Sequence, residues 1–165
     1  MKILVFSDSH SDLSLLESAL EKHKNDTDLI IHLGDCIADS KIFRDICPHI
    51  ANINLLGNCD YFHSDNNAKT EISFQLGTSG LRAFACHGHG YSVKRNTDIL
   101  YSKAKIEKAS IALYGHTHIA NITERNGIIL MNPGSCSFPR SSEPCSYGII
   151  RITNGEILPS VIFDR

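Results

Sequence analysis

The chain has 165 residues, of which 42% are hydrophobic, and a formal net charge of −2. This length and apolar content suffice for one compact domain, which we expect to span residues 1–165. No segment concentrates lysine or arginine, so the charge pattern indicates neither a nucleic-acid partner nor a membrane surface. Ser7 and Asp8 interrupt the first apolar run, and no later run is long enough to cross a bilayer, so we expect a cytoplasmic location.

The predicted elements begin with alternating strands and helices. The apolar run "KILVF" is followed by a helical pattern over about residues 12–24, the run "DLIIHL" and a second helical pattern over 39–47. This alternation is typical of βαβ units and a largely parallel sheet. A third helix is predicted over 96–108.

The second half of the chain predicts hairpins. The Asn-Gly pairs at 126–127 and 154–155 suit type I′ turns between two strands, and the turn at 77–80 joins a further pair of strands. We therefore predict an α/β protein in which two mixed sheets pack face to face with helices outside.

Polar clusters follow six of the predicted strands. These clusters are "SDSH", "GD", "GNCD", "HGHG", "GHTH" and "NPGS". Loops beyond the carboxyl ends of parallel strands converge on one crevice, so clusters far apart in sequence can meet in one site.

The clusters contain carboxylate, amide and imidazole groups that suit divalent metal ions. The candidate ligands are Asp8, His10, Asp35, Asn58, His87, His116 and His118. A donor set of this kind suits a site for manganese, iron or zinc ions. It does not match a structural zinc site, which is typically built from cysteines. Seven donors exceed what one zinc ion needs and suit two ions with open positions for water and substrate.

Each cluster alone has a structural explanation. "DSH", "GD" and "GNCD" are also typical of turns, in which Asp, Asn and Gly satisfy the backbone locally. The glycine-flanked histidine pairs of "HGHG" and "GHTH" favour ligation more strongly. The histidines at 23, 32, 49 and 63 have no partner at a suitable spacing, and we assign them no role.

The order DSH, GD, GNCD, HGH and GHTH resembles the calcineurin-like metallophosphoesterase superfamily, and most closely its small phosphodiesterase branch, the YfcE-like group. The resemblance runs from Asp8 to "NPGS" and the "PR" of residues 139–140. It implies a four-layer αββα sandwich and a phosphodiesterase that uses two divalent ions. Manganese is the ion we expect first, with zinc, iron or nickel as alternatives.

The resemblance also implies a role for each candidate ligand. Asp8, His10 and His118 would bind one metal ion, Asn58, His87 and His116 would bind the other, and Asp35 would bridge both. We assign Asp35, Asn58 and His89 to catalysis, and Asn58 and Arg140 to substrate binding. For Arg140, an equally good explanation is a loop anchored through backbone carbonyl groups.

Cys59 departs from the wider superfamily, in which a histidine commonly follows the asparagine of this motif, although cysteine is usual in the YfcE-like branch. A neutral thiol is a weak hydrogen-bond donor and a poor substitute for imidazole. We therefore consider His89, two residues after the candidate ligand His87, as the missing imidazole. The alternative for Cys59 is a small side chain that only fills space.

A second function class is open at this point. The same fold is used by a vacuolar sorting subunit of retromer, which resembles this branch and works by protein contacts. A scaffold has no reason to retain every metal ligand, and all seven are present here, so we favour the hydrolase. The expected partner is a phosphodiester, and the resemblance also suggests a homo-oligomer.

Overall fold

The computed structural model describes residues 1–60 and 69–164, so His63 lies outside the described residues. The described part contains ten strands. They are β1 (Lys2–Phe6), β2 (Leu29–His32), β3 (Ala51–Asn54), β4 (Glu71–Gln75), β5 (Arg82–Cys86), β6 (Ile111–Leu113), β7 (Asn121–Arg125), β8 (Ile128–Asn132), β9 (Ser146–Thr153) and β10 (Glu156–Phe163).

Three α-helices lie close to the predicted segments. They are α1 (Ser14–His23), α2 (Ile42–Ile46) and α3 (Asp98–Ile106). The segment predicted as a helix over 39–47 is a 3₁₀ helix at Ile37–Lys41 that continues into α2, and a second 3₁₀ helix spans His89–Tyr91. No helix in residues 1–60 or 69–164 is long and apolar enough to cross a membrane.

The strands form two five-stranded mixed sheets. The first has the order β10-β9-β1-β2-β3, and the second has the order β4-β5-β6-β8-β7. In the first sheet β1, β2 and β3 run parallel, and in the second β5, β6 and β8 run parallel. These six parallel strands are the ones that precede the six polar clusters.

Alternate residues of β1 pack against different layers of the protein. Ile3 and Val5 face an apolar cluster shared by both sheets, whereas Leu4 and Phe6 face a cluster that includes α1 and α2. Helix α3 covers the outer face of the second sheet through a third cluster. The layers therefore run helix, sheet, sheet, helix, which confirms the predicted fold class.

The predicted hairpin turns are confirmed. Asn126 and Gly127 have φ values of 48° and 77° between β7 and β8, and Asn154 and Gly155 have 53° and 79° between β9 and β10. Positive φ at both central residues is what a type I′ turn requires. The turn at residues 77–80 joins the antiparallel pair β4 and β5.

The last residue of β2, His32, is fully buried and belongs to a chain of hydrogen bonds. The backbone N–H of Gly34 donates to His32 Nδ1 at 3.2 Å, so Nε2 carries the proton and donates to Ser9 Oγ at 3.0 Å. Ser9 Oγ in turn donates to Asp39 Oδ2 at 2.7 Å. His32 thus connects the loop after β1 to the segment after β2.

Burial lowers the pKa of His32 to about 4. The unfolded chain has a histidine pKa of about 6.5, so below that pH it binds a proton that the folded protein excludes. We expect this group to lower the free energy of unfolding by about 3 kcal/mol as the pH falls from about 6.5 to about 4. Urea denaturation at several pH values measures the effect.

The control for this prediction is a pair of histidine substitutions. His32→Gln should be less stable than the wild type near neutral pH, and the difference should shrink as the pH falls. His49→Gln, at an exposed position, should show no such trend. A stability difference for His32→Gln that is constant over the pH range would contradict the assignment.

Candidate metal centre

The structure brings the polar clusters together at the carboxyl ends of the six parallel strands. One group combines Asp8, His10, Asp35 and His118, with one ligand atom from each lying within 4.8 Å of the others. A second group combines Asp35 with His87 and His116 under the same limit. Asp35 belongs to both groups, so the two candidate ion positions are adjacent.

Asp8 follows β1 and is fully buried. Its Oδ2 accepts hydrogen bonds from Ser7 Oγ at 2.6 Å and from the backbone N–H of His116 at 3.0 Å. A Cβ atom on Gly115 would lie 1.9 Å from Ser7 Oγ, so the close approach of these two loops requires glycine. The remaining oxygen, Oδ1, lies 3.2 Å from His118 Nε2 without hydrogen-bond geometry.

Asp35 follows β2 and lies between the two groups. Its Oδ2 is 3.4 Å from His87 Nε2 and 3.8 Å from His10 Nε2, and its Oδ1 accepts the backbone N–H of Cys59 at 2.8 Å. Burial raises the pKa of Asp35, but His87 and the Cys59 N–H lower it more, so the net shift is downward. Asp35 is therefore an anion at neutral pH.

Two histidines are oriented by backbone carbonyl groups. His87 Nδ1 donates to the oxygen of Leu33 at 3.1 Å, and His118 Nδ1 donates to the oxygen of Phe138 at 2.6 Å. With the proton on Nδ1, each ring presents the lone pair of Nε2 to the site. A carbonyl partner of this kind is what orients metal-ligating histidines in proteins.

The unpaired polar atoms show that the donors fit metal ions. In the part of the chain that the structure describes, four buried side-chain atoms lack a hydrogen-bond partner. Three of them are Asp8 Oδ1, Asn58 Oδ1 and His87 Nε2, and the fourth is on Asn54. Buried polar atoms are rarely left unpaired, so three such acceptors at one site match the demand of a cation. Asn58 precedes Cys59, whose N–H donates to Asp35, and its unpaired oxygen keeps it a candidate ligand.

The backbone of the site is strained. Five candidate ligands have positive φ, namely Asp8, His10, Asp35, His116 and His118, with values from 45° to 67°. Non-glycine residues rarely adopt this region, and such conformations cluster at functional sites where surrounding contacts hold them.

Asp60 holds two of these loops together, a role that the sequence analysis missed. Its carboxylate accepts the backbone N–H groups of Asp35, Cys36, Ile37 and Gly57 at distances between 2.8 and 3.0 Å. The loops after β2 and β3 are therefore fixed relative to each other. The only sequence signal was an acid at the end of "GNCD".

The "NPGS" cluster supports the site rather than adding ligands. Asn132 is fully buried, and its Nδ2 donates to the oxygen of Gly115 at 2.9 Å and to Thr117 Oγ1 at 3.0 Å. Ser135 Oγ donates to the backbone oxygen of Asp8 at 2.8 Å. These contacts position the loops that carry Asp8, His116 and His118.

His89 and Cys59 both lie beside the candidate ligands. The His89 ring is 5.5 Å from the His87 ring and 6.1 Å from the His116 ring, measured between centroids, and its side chain is exposed. Partial burial of its ring, and then the neighbouring His87, lower the pKa of His89. Partial burial and the charge of Asp35 raise the pKa of Cys59 to about 11, so its thiol is neutral.

Arg140 is exposed at the rim of the site. Its backbone N–H donates to the oxygen of His118 at 3.1 Å, which places it next to the candidate ligands. It lines a cavity of about 440 Å³ together with His10, His118 and Phe138. The side chain is thus free to contact a molecule bound there.

Replacing Asp60 tests how the loops are held. In Asp60→Ala, four N–H groups lose a charged acceptor, and we expect the free energy of unfolding to fall by about 3 kcal/mol. Asp60→Asn keeps one acceptor oxygen, so its free energy of unfolding should lie between those of Asp60→Ala and the wild type. Urea denaturation of metal-free protein measures both, with the exposed Asp45→Ala on α2 as control. An Asp60→Ala protein as stable as the control would show that the loops do not depend on this carboxylate.

Several known proteins are similar to this chain over most of its length. A probable metallophosphoesterase, YsnB of Bacillus subtilis, is 29% identical over 93% of this chain and 86% of its own length. The phosphodiesterase YfcE of Escherichia coli is 26% identical over 91% of this chain and 87% of its own. A predicted phosphoesterase of known structure from Streptococcus pneumoniae superposes with a TM-score of 0.81 at 27% identity, over 98% of this chain and 88% of that one.

The fold is also shared with a protein of another kind. The structure of vacuolar protein sorting 29 from Cryptosporidium parvum has a TM-score of 0.74 at 16% identity, over 99% of this chain and 98% of that one. At this identity the likeness concerns the fold alone.

Residues 1–155 match the family model of the calcineurin-like phosphoesterase superfamily domain. The chain therefore belongs to the calcineurin-like phosphoesterase superfamily, as the order of its motifs indicated.

Proposed function

We propose that this phosphoesterase is a phosphodiesterase that works with two divalent metal ions, with manganese expected first. The observation that carries the proposal is the pair of ligand groups that share Asp35. The phosphodiesterase YfcE supports the diester as substrate class, because it is similar to this chain over nearly its whole length. We retain the cytoplasm as the expected location.

The proposed ligands follow the two groups. Asp8, His10 and His118 would hold one ion, Asn58, His87 and His116 the other, and Asp35 both. When bound, such ions activate water and stabilise charge on a phosphoryl group.

The protein prepares these ligands before any ion binds. The hydrogen bonds to Leu33 and Phe138 keep the Nε2 atoms of His87 and His118 available. The pKa of Asp8 is also lowered, since burial raises it but His118, His87 and Ser7 together lower it more. Both carboxylates therefore enter the site as anions and need not lose a proton to bind a cation.

We assign the substrate contacts to Arg140, Asn58 and His89. A guanidinium group matches phosphate oxygens with two parallel hydrogen bonds, and Arg140 lies at the rim with an exposed side chain. Neutral His89 can donate a hydrogen bond to the phosphate or to the leaving oxygen. Cys59 is unsuited to this role because its neutral thiol is a weak donor.

Hydrolysis of bis(p-nitrophenyl) phosphate beside p-nitrophenyl phosphate tests the main proposal. Metal-stripped protein should be inactive, and Mn²⁺ should restore turnover of the diester. Asp35→Asn should lose at least about 100-fold in kcat/KM because both ligand groups lose the shared carboxylate. Asp45→Asn, an exposed acid on α2, is the matched control and should keep wild-type turnover.

The metal content of the same proteins distinguishes a phosphodiesterase from a protein that binds metal without hydrolysing esters. Elemental analysis should find two ions in the wild-type protein and fewer in Asp35→Asn. Two bound ions without hydrolysis of either ester, for any divalent metal, would refute the phosphodiesterase and favour a scaffold of the retromer type.

A leaving-group comparison tests His89. If its N–H assists the departing oxygen, His89→Ala should reduce hydrolysis of a phenyl diester more than that of the matching p-nitrophenyl diester, by about tenfold or more in kcat/KM. The reason is that p-nitrophenolate departs readily without help. His49→Ala serves as control, and equal losses on both esters would remove His89 from this role.

A further inference from the structure

A second cavity, of about 580 Å³, opens beside the loop that carries His116 and His118. We name it the Lys94 cavity. Its polar lining comes from Lys94, Asn96, Thr97, Thr117, Asn121 and Arg140, and its apolar lining includes Tyr114. Among residues 1–60 and 69–164, this lining contains two cations and no carboxylate. A lining of this kind favours an anionic group with hydrogen-bond acceptors.

The Lys94 cavity is next to the candidate metal centre. Thr117 stands between His116 and His118 in the chain, and the backbone N–H of Arg140 is bonded to the oxygen of His118. Arg140 also lines the cavity that contains His10 and His118. The two cavities thus meet at Arg140, and a phosphodiester at the metal centre has two ester arms to place.

The walls of the Lys94 cavity are held in position. The hydrogen bond from Asn132 Nδ2 to Thr117 Oγ1 holds the Thr117 side chain in place. Lys94 lies in a turn closed by a hydrogen bond from the N–H of Arg95 to the oxygen of Ser92 at 2.8 Å, and its neighbour Val93 is 6% exposed. The backbone that carries the Lys94 cation therefore needs no rearrangement to receive a ligand.

The positive charge of the Lys94 cavity comes from its own side chains and not from the net charge of the protein. Lys94 and Arg140 are exposed, and neither forms an ion pair within the described residues 1–60 and 69–164. The whole chain carries a net charge of −2, so its overall charge would not attract an anion to this cavity. Lys94 and Arg140, at the mouth of the cavity, attract an anion over about one Debye length.

We propose that the Lys94 cavity binds one arm of the phosphodiester and selects an arm that carries a second anionic group, such as a phosphate or carboxylate. The inference rests on the proposed phosphodiesterase function. His89, the proposed donor to the leaving oxygen, does not line this cavity. The cavity therefore receives the arm that stays on the phosphate product.

Three p-nitrophenyl diesters with arms of similar length test the charge preference. The arms end in a sulfonate, in a neutral tert-butyl group (3,3-dimethylbutyl) and in the isosteric trimethylammonium (p-nitrophenyl phosphorylcholine). Sulfonate is chosen because it binds metal ions weakly. We expect kcat/KM to be about tenfold higher for the sulfonate than for the neutral arm, and lowest for the cation.

The variants assign the preference to the cavity. Lys94→Gln should reduce the ratio of sulfonate to neutral arm to below about threefold, and Lys94→Gln with Arg140→Gln should abolish it. Lys105→Gln, an exposed lysine on α3, removes the same net charge and should keep the wild-type ratio. Raising the salt concentration from about 0.05 M to about 0.5 M should lower the wild-type ratio.

Two results overturn the inference while the proposed function stands. One is hydrolysis of all three esters at equal rates, and the other is a charge preference that persists in the double variant. Hydrolysis of none of the three esters by the metal-loaded protein refutes the proposed function and the inference together.

Discussion

The candidate metal centre depends on the apolar layer that holds the two sheets face to face. Ile3 and Val5 of the first sheet and Leu113 and Met131 of the second belong to one buried cluster. At Gly148 on β9 an added Cβ atom would lie 2.5 Å from Met131 Cε. The two sheets are therefore so close at this point that β9 has no room for a side chain larger than that of glycine. This packing aligns the carboxyl ends of three parallel strands from each sheet. Without that alignment, the two ligand groups could not share Asp35.

Backbone strain at the ligands is balanced by hydrogen bonds from residues that bind no metal in our proposal. Left-handed conformations at non-glycine residues cost free energy, and five candidate ligands adopt them. Asp60, Asn132, Ser135 and the His32 chain bind the backbone on either side of these positions. The folding free energy of the protein therefore covers this cost, and the ligand atoms stay directed at the two adjacent candidate ion positions.

The charges around the site divide into an inner and an outer region. Asp8 and Asp35 place two buried carboxylates at the centre, where unpaired acceptor atoms match cations. Lys94 and Arg140 place positive charge at the rim, where a substrate anion would arrive. A weakly acidic chain can thus offer a negative centre to metal ions and a positive rim to a phosphodiester.

The sequence by itself determined the fold class, the hairpins and the candidate ligands, because these depend on local patterns. Hydrophobic periodicity specifies strands and helices, Asn-Gly pairs specify the turns at 126–127 and 154–155, and glycine-flanked histidines after strands indicate ligands. The family resemblance implied that the ligands divide into two groups that share Asp35, and only the tertiary structure supplied the distances behind that division. It also revealed Asp60 and Asn132 as supports and Lys94 as a neighbour of Arg140 across a cavity. These relations join residues far apart in the chain, and their distances follow from sheet packing, which no local pattern encodes.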